Sequence, residues 1–227
     1  MIRTAKSFQY GLLFLLPLLA AAFWPRYLSR MSMAKASIHL HAATMAVWFG
    51  LLVAQVRFAA IGRFDMHRKF GRFSRIFGPV TLLTAAWACL EMARGSAPFH
   101  DRLFHLVLPV GGLIIASGAM TAALSLTHKP AEHARWMILS AIGLSGAGLE
   151  RVLLFYVPGF ESPVAAAHGN LVLIETLCAL LLLRSWRARE PWLPYAAGLF
   201  GYIVNHMWLM QHADMATYRA VVAQLTL

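Results

Sequence analysis

Four of the ten histidines in this chain form two pairs with the same spacing. His39 and His67 are 28 residues apart, and so are His105 and His133. Imidazole nitrogens ligate haem iron and zinc, and they gain or lose a proton near neutral pH. The spacing therefore points to cofactor ligands or proton-carrying groups that occur twice in related parts of the chain.

A shift of 66 residues brings the second histidine pair onto the first, together with several neighbouring residues. The repeated unit would be two membrane-spanning helices, used once as helices 2 and 3 and again as helices 4 and 5. Both units run in the same direction, so the expected relation is a parallel repeat about an axis along the membrane normal. The repeat predicts that His39 and His105 lie at one depth near the outer face. It places His67 and His133 together near the inner face.

Histidines from four different helices are expected in one layer near the outer face. A site between helices collects ligands without any adjacency in sequence. A zinc or iron ion with an open coordination position there could activate water or carry out oxidative chemistry. His39 and His41 cannot both face one centre, because two residues turn a helix by about 200°. The candidate metal ligands are His39, His41, His105, His168 and His206, with Glu150 as a possible further ligand.

Two glutamates, Glu150 and Glu175, fall inside apolar segments. A carboxylate within a membrane costs at least ~2.5 kcal/mol on insertion scales, and it normally faces a cavity or a partner. On this argument Glu150 and Glu175 are the strongest candidates for catalytic residues. The alternative is an ion pair or hydrogen bond between helices, for which Arg151 and Asn205 are available partners.

The elements that must position these residues are membrane-spanning helices. The chain is 59% hydrophobic and 13% charged, with a mean hydropathy of +0.62. A bilayer core takes about 20 helical residues, and seven windows of that kind separated by short connections predict a single all-α transmembrane bundle over 1–227. The first window has the basic start and apolar run of a secretory signal, and we expect it to be retained as a helix. The expected spans are 8–24, 37–61, 66–93, 103–126, 130–157, 165–184 and 191–212.

Lysine and arginine in the short loops predict the orientation of the bundle. Twelve of these residues fall on the side that carries the N-terminus and six on the other side. The N-terminus is therefore expected inside and the C-terminus outside. The net charge of +11 is explained by this topology and by attraction to anionic lipid headgroups, not by nucleic acid. Cys89 and Cys178 have no metal or redox spacing and are expected to be packing residues.

Three motifs resemble a bacterial family of multi-pass predicted membrane proteins of unknown function. They are HRKFGR (67–72), HARWMILS (133–140) and GNLVLIET (169–176). The resemblance covers roughly helices 2 to 6. It implies a multi-pass helical protein of a bacterial inner (cytoplasmic) membrane and no particular activity.

A more distant likeness is to transmembrane b-type cytochromes that pass electrons from ascorbate to ferric iron. It implies an outer haem b held by His39 and His105 and an inner haem b held by His67 and His133. The chain departs from that pattern at the inner site, because His67 and His133 lie among charged residues at the membrane surface.

Three functional hypotheses follow. The first is a membrane redox protein that binds haem b or another metal and passes electrons to or from a quinone or a small acceptor. The second is a membrane enzyme that depends on a non-haem metal ion near the outer face. The third is a transporter, receptor or assembly subunit whose buried glutamates and histidines bind a small molecule or relay protons. Membrane lipid is an expected partner in each case.

Overall fold

A computed structural model describes residues 2–94 and 99–213. Within these ranges, the side chains of 2–5, 92–93, 99–107 and 212–213 lie outside the description. The described chain is all-α and contains no strand, as the sequence predicts. The elements are α1 (Ile2–Phe23), a 3₁₀ helix (Leu28–Met33), α2 (Ala36–Ala60), α3 (Phe64–Ala93), α4 (Phe99–Ser125), α5 (Pro130–Tyr156), α6 (Pro163–Arg187) and α7 (Leu193–Ala213).

Among the described residues, six helices, α1 to α6, are long and apolar enough to cross a membrane. The seventh, α7, has 21 residues and is not among these six. The protein is therefore a multi-pass helical membrane protein. We use "outer" and "inner" below for the two ends of the bundle that the distribution of lysine and arginine assigns.

The helix ends follow from local chemistry. Pro130 occupies the first turn of α5, as expected, because its missing N–H group is not needed there. Helix α6 begins at Pro163, earlier than predicted, since the Ser162 hydroxyl accepts a hydrogen bond of 3.0 Å from the backbone N–H of Ala165. The short turn between α2 and α3 uses Gly62 at φ +75°, a conformation that glycine adopts without strain.

Two hydrophobic cores organise the bundle. The α1–α5 core lies among α1, α2, α4 and α5 and includes Leu12, Trp48 and Met120. The α4–α7 core lies among α4, α5, α6 and α7 and includes Leu171 and Leu209. Helices α4 and α5 contribute to both cores, so they form the centre of the molecule.

The backbones of α4 and α5 are in direct contact at two glycines. A methyl group added at Gly112 would lie 2.9 Å from the carbonyl oxygen of Gly143, and one added at Gly143 would lie 2.9 Å from the carbonyl oxygen of Gly112. Small residues of this kind allow membrane helices to approach closely. This contact holds α4 against α5 and so fixes the surface on which α6 and α7 pack.

Candidate functional site

A continuous chain of hydrogen bonds joins three ionisable side chains between α6 and α7. His168 Nδ1 lies 2.9 Å from His206 Nε2, and His206 Nδ1 lies 2.9 Å from Glu175 Oε1. The two imidazole rings are 5.1 Å apart at their centroids. We call these three residues the His–His–Glu relay.

Both helices position the relay through simple periodicity. His168 and Glu175 are two turns apart on α6, so their side chains project from the same side of that helix. On α7, Tyr202 and Leu209 are buried in the α4–α7 core, and this fixes the rotation of the helix. That rotation places His206 against α6, where it contacts His168 and Glu175.

The three side chains of the relay are partly buried. The side chain of Glu175 is 20% exposed and that of His206 is 16% exposed, while His168 is half-buried near the outer end of α6. An ionised carboxylate only accepts hydrogen bonds, so Nδ1 of His206 donates to Glu175 and its Nε2 accepts from Nδ1–H of His168. Nε2 of His168 is then left without a proton and is the acceptor at the outer end of the relay.

The structure answers part of the sequence analysis directly. It brings together Glu175, His168 and His206, all three of which the sequence marked as candidates, although not as one group. The partner of Glu175 is His206 and neither Arg151 nor Asn205. Nothing in the sequence indicates this pairing, because apolar periodicity gives the depth of a residue but not which helices are neighbours.

The other outer candidates whose side chains are described, His39, His41 and Glu150, lie towards the outer ends of α2 and α5. His39 Nδ1 is 2.9 Å from the Tyr27 hydroxyl, and His41 Nδ1 is buried with no hydrogen-bond partner in the described part of the chain. Glu150 is next to Arg151 on α5. The guanidinium of Arg151 donates to the Ala147 carbonyl oxygen at 2.8 Å, and none of its described hydrogen bonds reaches α6 or α7.

A metal centre that gathers the outer histidines is not assembled by the described side chains. Within them, no group of three or more His, Cys, Asp or Glu residues is close enough to hold a metal ion. The side chain of His105, on α4, lies outside the description, so the predicted pairing of His39 with His105 stays a prediction.

At the inner end, His67 and His133 lie side by side. Their ring centroids are 6.3 Å apart, with the rings nearly perpendicular at 81°. Each ring is held in the same way: His67 Nδ1 is 3.1 Å from the Gln55 carbonyl oxygen of α2, and His133 Nδ1 is 2.8 Å from the Ala123 carbonyl oxygen of α4. Since a carbonyl only accepts, both Nδ1 atoms carry protons. Neither Nε2 atom forms a hydrogen bond with another described residue. In both cases the acceptor lies on the preceding helix, 12 residues before His67 and 10 residues before His133.

Buried polar side chains continue from this end into the bundle. Gln55 Nε2 donates to the Ser74 hydroxyl at 2.7 Å between α2 and α3. Arg135, near the start of α5, is buried and forms an ion pair with Glu190 in the loop between α6 and α7. Five basic residues in the α2–α3 connection and the first half of α3 are exposed at the end of the bundle that we call inner. They are Arg63, Arg68, Lys69, Arg72 and Arg75.

Comparison of the chain with protein-family models, with curated proteins and with solved structures found no match. The functional argument therefore depends on the geometry of the His–His–Glu relay and of the histidine pair.

Proposed function

We propose that this multi-pass membrane protein carries protons through the His–His–Glu relay between α6 and α7. The observation that supports the proposal is the unbroken series of two hydrogen bonds, each of 2.9 Å, from His168 through His206 to Glu175. Ionisable residues within membrane helices mark proton pathways in pumps and transporters. The proposal develops the third hypothesis of the sequence analysis.

In a transfer along the relay, each imidazole gains one proton and loses one. A proton from the outer side binds Nε2 of His168, and the proton on Nδ1 of His168 moves to Nε2 of His206. The proton on Nδ1 of His206 then moves to Oε1 of Glu175. One proton enters, one reaches the carboxylate, and both rings exchange tautomers. The distances allow each step without movement of a helix.

The relay is better suited to proton transfer than to hydrolysis. In a hydrolytic triad, a carboxylate orients a histidine whose other nitrogen contacts a nucleophilic hydroxyl or thiol. Here the other nitrogen of His206 contacts an imidazole at 2.9 Å, and an imidazole both accepts and donates protons. This arrangement extends the path of the proton and does not activate a nucleophile.

Proton flux into vesicles tests the proposal. The purified protein is reconstituted into liposomes that contain a pH-sensitive dye, and a potassium diffusion potential drives protons inward. We expect Glu175→Gln and His206→Asn to lower the flux by about tenfold or more, which corresponds to ~1.4 kcal/mol or more in the barrier. The control is Glu91→Gln, which removes the ion pair of Glu91 with Lys35 at 2.8 Å but leaves the relay intact. Wild-type flux no greater than that of empty vesicles, or unchanged flux in Glu175→Gln, refutes the proposal.

A metal ion held by His67 and His133 is a second candidate function. Histidine ligands usually donate their other ring nitrogen to a carbonyl or carboxylate, as both rings do here. Two imidazoles on one metal ion have centroids roughly 5–6.5 Å apart, given metal–nitrogen distances of about 2.0–2.1 Å, and the observed 6.3 Å falls in that range.

Haem b is a poorer fit than a metal ion at this pair. A porphyrin needs open space between the helices that carry its ligands, and the large side chains Trp48, Met120 and Met137 fill the interior outward of the pair. The redox and quinone hypotheses would need a cofactor elsewhere in the bundle.

Metal analysis of the purified protein tests the second candidate. We expect one zinc or copper ion per chain in protein loaded with that metal, and its loss in His67→Gln and in His133→Gln. His128→Gln is the matched control, since His128 is exposed in the connection between α4 and α5. Less than one ion per chain in the wild type, or full retention in both variants, excludes the site.

A further inference from the structure

The relay ends at Glu175 near the middle of α6, so a proton that reaches it needs a route to the inner face. The question therefore rests on the proposed proton-carrying function. Between Glu175 and the inner end, α6 and α7 carry several polar side chains in an otherwise apolar core. They lie between the relay and the ion pair of Arg135 and Glu190.

Cys178 and Tyr202 form the first part of this route. Cys178 lies one turn inward from Glu175 on α6 and is fully buried. Tyr202, on α7, packs with Cys178 in the α4–α7 core and is 2% exposed. Its hydroxyl has no hydrogen-bond partner within the described residues.

The unpartnered hydroxyl of Tyr202 is the informative feature. A buried hydroxyl without a hydrogen bond destabilises the fold, and no bulk water is present inside a bilayer to satisfy it. Phenylalanine would fill the same space without that cost. A tyrosine at this position is explained if the hydroxyl binds a water molecule inside the bundle.

The inner part of the route reaches solvent. Tyr195, two turns before Tyr202 on α7, is 3% exposed and lies within electrostatic range of Cys178, Arg135 and Glu190. The side chain of Arg135 is 5% exposed, whereas that of Glu190 is 47% exposed. The polar series therefore passes from the buried core to a solvated carboxylate at the inner face.

We propose that bound water molecules along this polar series carry the proton from Glu175 to the inner face. The residues that line the route are Cys178, Tyr202 and Tyr195, with the pair of Arg135 and Glu190 at its inner mouth. Each buried water needs two to four polar partners, and the thiol, the two hydroxyls and the ion pair supply them. The Tyr202 hydroxyl is the central group, since it can accept one hydrogen bond and donate another.

Removal of the Tyr202 hydroxyl tests the route in the vesicle assay. We expect Tyr202→Phe to lower proton flux by about tenfold or more, as Glu175→Gln does. The matched control is Tyr156→Phe, which removes a hydroxyl that donates to the Ala21 carbonyl at 2.9 Å, away from α6 and α7. If Glu175→Gln abolishes the flux and Tyr202→Phe leaves it unchanged, the route is wrong while the relay stands.

Hydrogen–deuterium exchange of the Cys178 thiol tests the water without relying on flux. In a Cys89→Ser background, the S–H vibration in infrared spectra reports Cys178 alone, since the chain has two cysteines. The control thiol is introduced by Ala141→Cys, with both native cysteines replaced by serine, because Ala141 is 2% exposed in the apolar α1–α5 core.

The two thiols are expected to differ sharply. We expect the Cys178 thiol to exchange in D₂O at least about tenfold faster than the control thiol, since exchange requires contact with water or local opening. Equal, slow exchange at both positions overturns the water route whatever the flux shows. Fast exchange in a protein that conducts no protons would reject the proposed relay and leave the hydrated interior established.

Discussion

The contact between α4 and α5 at Gly112 and Gly143 positions the surface that carries the relay, and a single methyl group should disturb it. We expect Gly112→Ala to destabilise the protein relative to Gly118→Ala. A methyl group at Gly112 would lie 2.9 Å from the Gly143 carbonyl oxygen, whereas nothing lies within 4 Å of a methyl group at Gly118. Both glycines are on α4, so the pair isolates the effect of the contact.

The magnitude follows from two opposing effects. Replacing glycine by alanine within a helix favours the folded state by about 0.8–1 kcal/mol, and this gain applies at both positions. Overpacking a close contact costs typically about 1–3 kcal/mol, and this cost applies only at Gly112 because its neighbour is rigid backbone. The two variants should therefore differ by ~1–3 kcal/mol. For a protein of this size that is roughly 2–12 °C in melting temperature.

Thermal unfolding in detergent measures this difference. A maleimide dye that reacts with thiols exposed on unfolding suits the chain, because Cys178 is buried and Cys89 is partly buried. Gly118→Ala should melt at or above the wild-type temperature, and Gly112→Ala below that of Gly118→Ala. Equal melting temperatures for the two variants would show that the α4 and α5 backbones are not in contact at Gly112.

Three further predictions concern the inner half of the molecule. Gln55→Leu and Ser74→Ala, made singly and together, should give a coupling free energy of about 0.5–1.5 kcal/mol in a thermal or denaturant double-mutant cycle, because their 2.7 Å hydrogen bond is buried; additive effects would exclude the bond. Glu190→Gln should destabilise the protein by roughly 1–3 kcal/mol in the same unfolding assay, since it leaves the buried Arg135 guanidinium without its carboxylate; an unchanged melting temperature would show that Arg135 has another anion. A thiol introduced by Arg72→Cys, with both native cysteines replaced by serine, should react with a membrane-impermeant reagent in inverted vesicles and not in intact cells, because positive charge places that loop inside; labelling in intact cells would reverse the assigned orientation.

Hydropathy predicted the helices, because the bilayer core favours apolar residues along the whole length of a membrane-spanning helix. The seven helices were expected within three residues of their observed bounds, except that α1 begins at Ile2 and α4 at Phe99, earlier than the expected 8 and 103. The first turn of α5 followed from Pro130 in the same way. Helix α3 begins at Phe64, and Asp65 lies in its first turn, where it pairs with Arg63 at 3.2 Å.

The partners of the polar residues could not be predicted, because their positions along the bilayer normal do not say which helices are adjacent. Glu150 and Glu175 are equivalent by sequence, since each is a carboxylate in an apolar segment. The structure separates them: Glu175 faces α7 and binds His206, while Glu150 lies on α5 and forms no hydrogen bond with another described residue. His39 lies near the start of α2, and its partner, Tyr27, comes from the connection between α1 and α2.

The arrangement of the helices also bears on how a proton could move. Helices α6 and α7 pack on the rest of the bundle through α4 and α5, and α4 and α5 are locked together at Gly112 and Gly143. A large rotation of α7 would break the burial of Tyr202 and Leu209 in the α4–α7 core. The two hydrogen bonds of the relay are already at transfer distance, so the proposed transfer needs only exchange of imidazole tautomers. Both rings must then turn over to restore the starting tautomers before the next proton, and neither step requires movement of a helix. It follows that variants which loosen the α4–α5 contact should lower the flux by lengthening these hydrogen bonds, whereas a mechanism that depends on helix movement would gain flux from the same change.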